Sequence, residues 1–175
     1  MLIRKIEKDD IPSLASLHYN CYLETYHDLL PENYLNELSI EKQLNTFNRM
    51  NLLDYTYVVE SKERLLGYVI AARREDRDLD RMDYGEIQAI YVLNNYQKIG
   101  YGGMLLDYAT AALEQKHFKY IVVWVLKDHT NAVDFFRSQG YEEDGKEKEV
   151  VYQGSKFKAV RMQRKIHHYI VEEEE

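Results

Sequence analysis

Seven consecutive apolar residues, Tyr120-Ile121-Val122-Val123-Trp124-Val125-Leu126, constrain this chain more than any other segment. A β-branched run of this kind is a strand covered on both faces, not one that alternates between core and water. Upstream, residues 100–117 carry Leu105, Leu106, Ala109 and Leu113 at helical spacing. Residues 86–93 read as a further strand. Strand, helix, strand at this spacing is a βαβ unit with parallel neighbours. Helices must then flank the sheet, which predicts an α/β fold.

The flanking segments make that sheet mixed. Leu2, Arg4 and Ile6 begin a short strand. Asp9 or Asp10 is expected to cap a helix with Pro12 in its first turn. Ile11, Leu14, Leu17 and Cys21 carry its period to about Tyr26. Pro31 restarts the chain, and Tyr34, Leu35 and Leu38 predict a second, short helix. Ser39 is placed to cap a third, with Leu44, Phe47 and Met50 on one face. Residues 54–61 and 66–73 pair as a hairpin around Lys62-Glu63-Arg64. Residues 73–83 are highly charged without apolar period and read as a long loop. A helix over 130–139 stops at Gly140. Two closing strands, 141–152 and 155–166, flank Gln153-Gly154.

At 175 residues the chain suits one domain, expected over 1–166, with an acidic tail over 167–175. His167 and His168 supply too few ligands for a metal site. No apolar run approaches the roughly 18 residues of a membrane-spanning helix. The single cysteine, Cys21, excludes an intrachain disulfide framework and lies on an apolar stripe. The start, Met1-Leu2-Ile3-Arg4-Lys5, has no signal-peptide pattern, so a cytoplasmic location is expected. A net charge of −7 argues against nucleic-acid binding and slightly favours a cationic substrate. Tyr stands at 16 residues against five Phe and one Trp. Its apolar ring and polar tip suit pocket walls.

The segment Tyr96-Gln97-Lys98-Ile99-Gly100-Tyr101-Gly102-Gly103 joins a strand to a helix. Glycines there permit left-handed angles and close ligand approach. The helix N-terminus adds unpaired amides and partial positive charge, and Lys98 a full one. The product is a phosphate or pyrophosphate site. A nucleoside-triphosphate loop would need Gly-Lys-Ser/Thr, but Gly102 is followed by Gly103-Met104-Leu105. A dinucleotide fingerprint would need a third spaced glycine and a carboxylate ending the next strand, and residues 122–126 offer none. Gln97, Gly100 and Gly102 instead match Gln/Arg-x-x-Gly-x-Gly/Ala.

With Glu86-Ile87-Gln88-Ala89-Ile90-Tyr91-Val92 before it, this loop resembles the GNAT superfamily of N-acetyltransferases. Residues 125–141, which include His129-Thr130-Asn131-Ala132-Val133-Asp134-Phe135-Phe136 and Gly140-Tyr141, are similar to the family's Asn-x-x-Ala-x-x-Phe-Tyr-x-x-x-Gly-Phe segment. The resemblance covers residues 84–141 strongly. The stretch Thr25-Tyr26-His27-Asp28-Leu29-Leu30-Pro31 also looks like a common bacterial branch of the family. It implies a GNAT-like mixed sheet whose central parallel strands splay apart around acetyl-CoA, with no metal. Main-chain groups of Ile90, Tyr91 and Val92 would hold the pantetheine arm. Gln97 and the amides of Lys98, Ile99, Gly100, Tyr101, Gly102 and Gly103 would hold the pyrophosphate. His129 or Asn131, with Phe135 and Phe136, would pack on the arm from the other side.

The implied reaction is direct attack of a primary amine on the thioester. Glu86 is the base the resemblance implies, acting through water, and a main-chain amide near Val92 would meet the oxyanion. Tyr22, Tyr26, His27 and Asp28 would form the acceptor wall. Two residues depart from the pattern: His129 stands at the family's asparagine position, with Asn131 two residues on, and Phe136 replaces its tyrosine acid. Tyr141 and Tyr152 are the candidate substitutes. Two rivals stay open: a catalytically impaired CoA-binding regulatory module, and a nucleotide or phosphate binder other than a CoA protein. The acceptor, a small molecule or a peptide amine, is open too, and edge strands of the closing hairpin could pair in a homodimer.

Overall fold

A computed structural model describes residues 1–62, 64–73 and 76–166. The expected acidic tail, with His167 and His168, lies outside the described residues. The chain runs β1 (Leu2–Lys5), a 3-10 turn (Lys8–Asp10), α1 (Ile11–Tyr26), α2 (Glu32–Leu35) and α3 (Ile40–Arg49). It continues through β2 (Thr56–Ser61), β3 (Arg64–Arg73), β4 (Tyr84–Val92), α4 (Tyr101–Glu114) and β5 (Tyr120–Leu126). It closes with α5 (Thr130–Ser138), β6 (Glu142–Tyr152) and β7 (Ser155–Lys165). The strands form one mixed sheet in the order β1-β2-β3-β4-β5-β7-β6. β4 and β5 pair parallel and the other neighbours antiparallel.

Each face of the sheet has its own core. Leu105, Leu106, Ala109 and Leu113 of α4 pack against Val69, Ile87, Ile121 and Val123. On the opposite face, Leu14, Leu17 and Cys21 of α1 and Phe47 of α3 pack against Val58 and Tyr68. Cys21 is buried, and burial pushes its thiol up to about 12; it is a core residue and not a nucleophile. No helix among the described residues is long and apolar enough to cross a membrane.

Two details differ from expectation. Asp10 does not cap α1 with its side chain. Its carboxylate instead accepts from the Glu7 amide at 2.8 Å and from both terminal nitrogens of Arg4 at 2.7 and 2.9 Å. It thereby ties β1 to the 3-10 turn before the helix. Ser39 does cap α3, accepting from the Lys42 amide at 3.2 Å, but Met50 follows the helix in extended backbone and is exposed.

The charged segment is a loop, as expected, and two of its carboxylates are anchored. Asp78 takes both terminal nitrogens of Arg161 at 3.0 Å, and Asp76 accepts from the Trp124 indole at 2.9 Å. Arg161, on β7, is only 4% exposed and also donates to Asp144 at 2.6 Å. Asp76 and Asp78 therefore pin the loop to β5 and β7. At the other end of the closing hairpin, Gln153 and Gly154 both take positive φ (48° and 80°), which is the two-residue turn that matches strand twist.

Candidate active site

β4 and β5 begin side by side and end apart. They pair from Tyr84↔Tyr120 to Ile87↔Val123 and no further. β5 stays with β7 as far as Leu126↔Ala159, and β4 stays with β3 as far as Val92↔Gly67. A bulge starts the parting: Ala71 faces Ile87 and Ile70 faces Ala89, leaving Gln88 as the extra residue. It also reverses the side-chain parity. Ile87 packs on the α4 side and Ala89 on the α1 side, although two residues apart in a strand normally share a face.

The register also settles which main-chain groups face the gap. The Leu93 N–H donates to the Leu66 carbonyl at 2.9 Å. Antiparallel bonding alternates, so Tyr91 is bonded to β3, while Ile90 and Val92 turn their N–H and C=O groups toward the gap. Of the three expected main-chain contacts, Ile90 and Val92 are thus available and Tyr91 is spent.

The gap is part of a cleft of about 550 Å³. Ile90, Tyr91, Val92, Gln97, Lys98, Gly100, Gly102 and Gly103 line one side, and His129, Asn131, Phe135 and Phe136 the other. Ile99 is 60% exposed and Tyr101 is buried with its hydroxyl donating to the Met1 sulfur, so neither side chain lines it. Lys98 and Gly100 both have positive φ, 60° and 97°, immediately before the first unpaired amides of α4. Successive turns of this kind make an anion-binding concavity. Gly102 serves packing as well as access: a Cβ there would meet the Phe135 ring at 3.1 Å. Gln97 donates to the Val92 carbonyl at 2.8 Å and to Asn94 at 3.0 Å, so its side chain tethers the loop to the strand end.

His129 begins α5 without capping it, and its ring meets Tyr26 edge-on at 5.5 Å. Burial lowers its pKa. Phe136 packs edge-on against Tyr141 at 5.3 Å. Tyr141 is fully buried beneath Arg164, and its hydroxyl does not line the cleft. Tyr152 packs at a tilt against Tyr34, 4.8 Å between ring centres, near the hairpin tip and also away from the cleft. Tyr26 does line it, and accepts from the Tyr91 hydroxyl at 3.4 Å. Burial raises the pKa of both tyrosines.

Tyr22 lies 4.4 Å from the Tyr26 ring but lines a second cavity of about 200 Å³ between α1, α2 and α3. His18 lines it too. It is hydrogen-bonded to the Tyr68 hydroxyl and lowered to about 4 by burial, so it is neutral at pH 7. His27 and Asp28 pair with each other at 2.8 Å in open solvent and line neither cavity. Glu86 is half-buried between Ala72 and Val122 in the closed part of the sheet, two residues before the bulge. Its neighbours Gly85 and Ile87 face α4, so its side chain projects to the opposite face.

Thr25, Trp124 and Gln139 also line the cleft. Trp124 was hidden in the sequence by its apolar run. The one signal is its parity, opposite to Val123 and Val125 in a strand. Among the described residues no group of three or more His, Cys, Asp or Glu side chains could hold a metal ion.

The model of the acetyltransferase (GNAT) family matches residues 12–141. The uncharacterised N-acetyltransferase YuaI of Bacillus subtilis (strain 168) is 27% identical over 133 residues, 75% of each chain. The PaiA N-acetyltransferase from Thermoplasma acidophilum, solved in complex with coenzyme A, superposes with a TM-score of 0.70 at 20% identity, over 94% of this chain and 98% of that one. yncA from Salmonella typhimurium, solved with its cofactor acetyl-CoA, gives 0.72 at 18% identity, over 98% and 96%. With a parting parallel strand pair, a glycine loop and the family model spanning both, the chain belongs to the GNAT acetyltransferase family.

Proposed function

We propose that this chain moves an acetyl group from acetyl-CoA to a primary amine, with the thioester lying between β4 and β5. The observation that carries the reading is the strand edge at Ile90 and Val92, which no neighbouring strand pairs, ending at a left-handed glycine loop. An extended arm adds to such an edge as a strand would, and a pyrophosphate suits the loop amides. The bound coenzymes of the two structural relatives support the same assignment. His129, Asn131 and Phe135 would flank the arm.

The chemistry needs a base more than an acid. Holding an alkyl amine neutral at pH 7 costs about 4.6 kcal/mol, whereas releasing a thiolate costs about 2 kcal/mol. Glu86 would take the amine proton through water. It does not line the cleft itself but stands two strand positions from Gln88, which does, so the proton would pass through water. The Val92 N–H would meet the oxyanion. Phe136 cannot donate a proton, and Tyr26 presents the hydroxyl that would reach the departing sulfur.

Calorimetric titration with acetyl-CoA and, in parallel, ATP tests the reading. Micromolar acetyl-CoA binding with weaker ATP binding supports it. Tighter ATP binding would select the nucleotide reading. Acetyl-CoA binding without turnover of any amine would select the regulatory one, which the buried Phe136 favours. The tether makes a further prediction. Gln97→Leu should weaken acetyl-CoA binding by about tenfold, or ~1.4 kcal/mol, with little change in thermal midpoint, because an exposed side chain is altered. Unchanged affinity would mean that the loop holds its shape alone.

A further inference from the structure

Lys148 is on β6, opposite Ala159 of β7, and Ala159 is opposite Leu126 of β5. Two residues back along β5, Trp124 faces the same side of the sheet. The Lys148 Nζ lies 4.0 Å from the centre of the Trp124 ring. That ring lines the cleft beyond the point where β4 and β5 part. Lys148 does not itself line the cleft, but its exposed primary alkyl amine rests on a ring that does.

Other lysines of the same hairpin are held differently. Lys146 pairs with Asp78 at 3.8 Å, Lys156 with Glu149 at 3.0 Å and Lys158 with Glu147 at 3.5 Å. Among the described residues no carboxylate lies within ion-pair distance of Lys148. Its partner is an aromatic face, a weak contact at an exposed site, and a small one to give up. The ring itself is held in place. Asp76 holds the indole N–H, and the buried Arg161 guanidinium lies 5.7 Å from the ring centre.

We infer that Lys148 is an internal acceptor: the chain acetylates its own Lys148 Nζ from acetyl-CoA bound between β4 and β5. The inference rests on the acetyl-transfer reading above. Lys148 first gives its ammonium proton to the water at Glu86. The free amine attacks the thioester carbonyl; the N–C bond forms, the C–S bond breaks and CoA departs as thiolate. The second proton of the attacking nitrogen passes to that thiolate or to solvent. The product amide is neutral. It loses its electrostatic hold on the indole and uncovers the Trp124 face on the acceptor side.

The test is a time course of the purified full chain with acetyl-CoA, read by peptide mass spectrometry, beside calorimetry on the same preparation. Lys148 should gain an acetyl group faster than Lys146, Lys156 and Lys158 by a factor on the order of 100, the advantage of a positioned over a free reactant. The rate should not change with protein concentration, since the step is within one chain. Glu86→Gln should slow Lys148 to the rate of its neighbours. Lys148→Arg keeps a cation over the ring and should leave only background modification of the hairpin. Acetyl-CoA binding with all four lysines modified at one rate would overturn the inference alone, as would a rate proportional to protein concentration. Absence of acetyl-CoA binding would overturn the inference together with the acetyl-transfer reading beneath it.

Discussion

Replacing Glu86 by Gln is expected to lower turnover by about 10²–10⁴-fold, the usual contribution of a positioned general base, while acetyl-CoA binds as before. The side chain is close to isosteric and lies in the paired stretch of β4, between Ala72 and Val122. Its loss therefore leaves the gap above it intact. The substitution removes the only role proposed for the carboxylate, taking a proton through water. Glu86→Asp, with a shorter reach, should recover part of the rate. The pH profile separates this role from a structural one. In the wild type, an ionised carboxylate helps wherever the acceptor amine is still protonated. In Glu86→Gln the rate should depend more steeply on pH and rise toward the amine pKa, near 10.4. Equal kcat in wild type and variant, measured at saturating acetyl-CoA, would remove Glu86 from the mechanism. Affinity lost in parallel with rate would assign it to the fold.

Much of the architecture was legible because its signals are local. The run from Tyr120 to Leu126 matches β5 at both ends, and the two-residue turn at Gln153-Gly154 needs only its own backbone angles. The glycine loop was legible for the same reason. The site itself depends on relations between distant elements. Gln88 looks like any strand residue, and only the pairing of its neighbours Ile87 with Ala71 and Ala89 with Ile70 shows it as the bulge where β4 leaves β5. Tyr91 and Val92 are adjacent, yet only the bond from Leu93 to Leu66 shows which of them turns its amide to the gap. His27 and Asp28 sit beside Tyr26 in sequence, but α1 ends at Tyr26 and they turn out into water. The charged segment was legible as a loop, but its anchor was not: the counter-charge, Arg161, is 83 residues from Asp78.

That counter-charge carries the largest expected effect on stability. Arg161→Met should cost about 3 kcal/mol in denaturant unfolding, because breaking a buried ion pair strands the remaining charges. Three carboxylates, Asp76, Asp78 and Asp144, converge on the one guanidinium. Asp144 has only 10% of its side chain exposed and cannot turn to water as Asp78 can. Lysine at 161 should recover only part of the loss, since an ammonium cannot serve Asp78 through two parallel bonds and Asp144 through a third. The pH dependence has a definite sign. The hydrogen bond from Arg161 lowers the Asp78 pKa in the folded chain. Its stabilisation is therefore full above the ordinary aspartate range and disappears as pH falls through the lowered value. Arg161→Met should flatten that part of the acid unfolding curve. The damage also reaches the cleft, because Asp76 holds the indole of Trp124. Trp124 fluorescence reports it directly, as the chain has no other tryptophan. A native-like emission spectrum in a variant that has lost stability would show that Asp76 alone holds the ring. A red-shifted one would show that the buried arginine, through the loop, sets the wall against which the acceptor must lie.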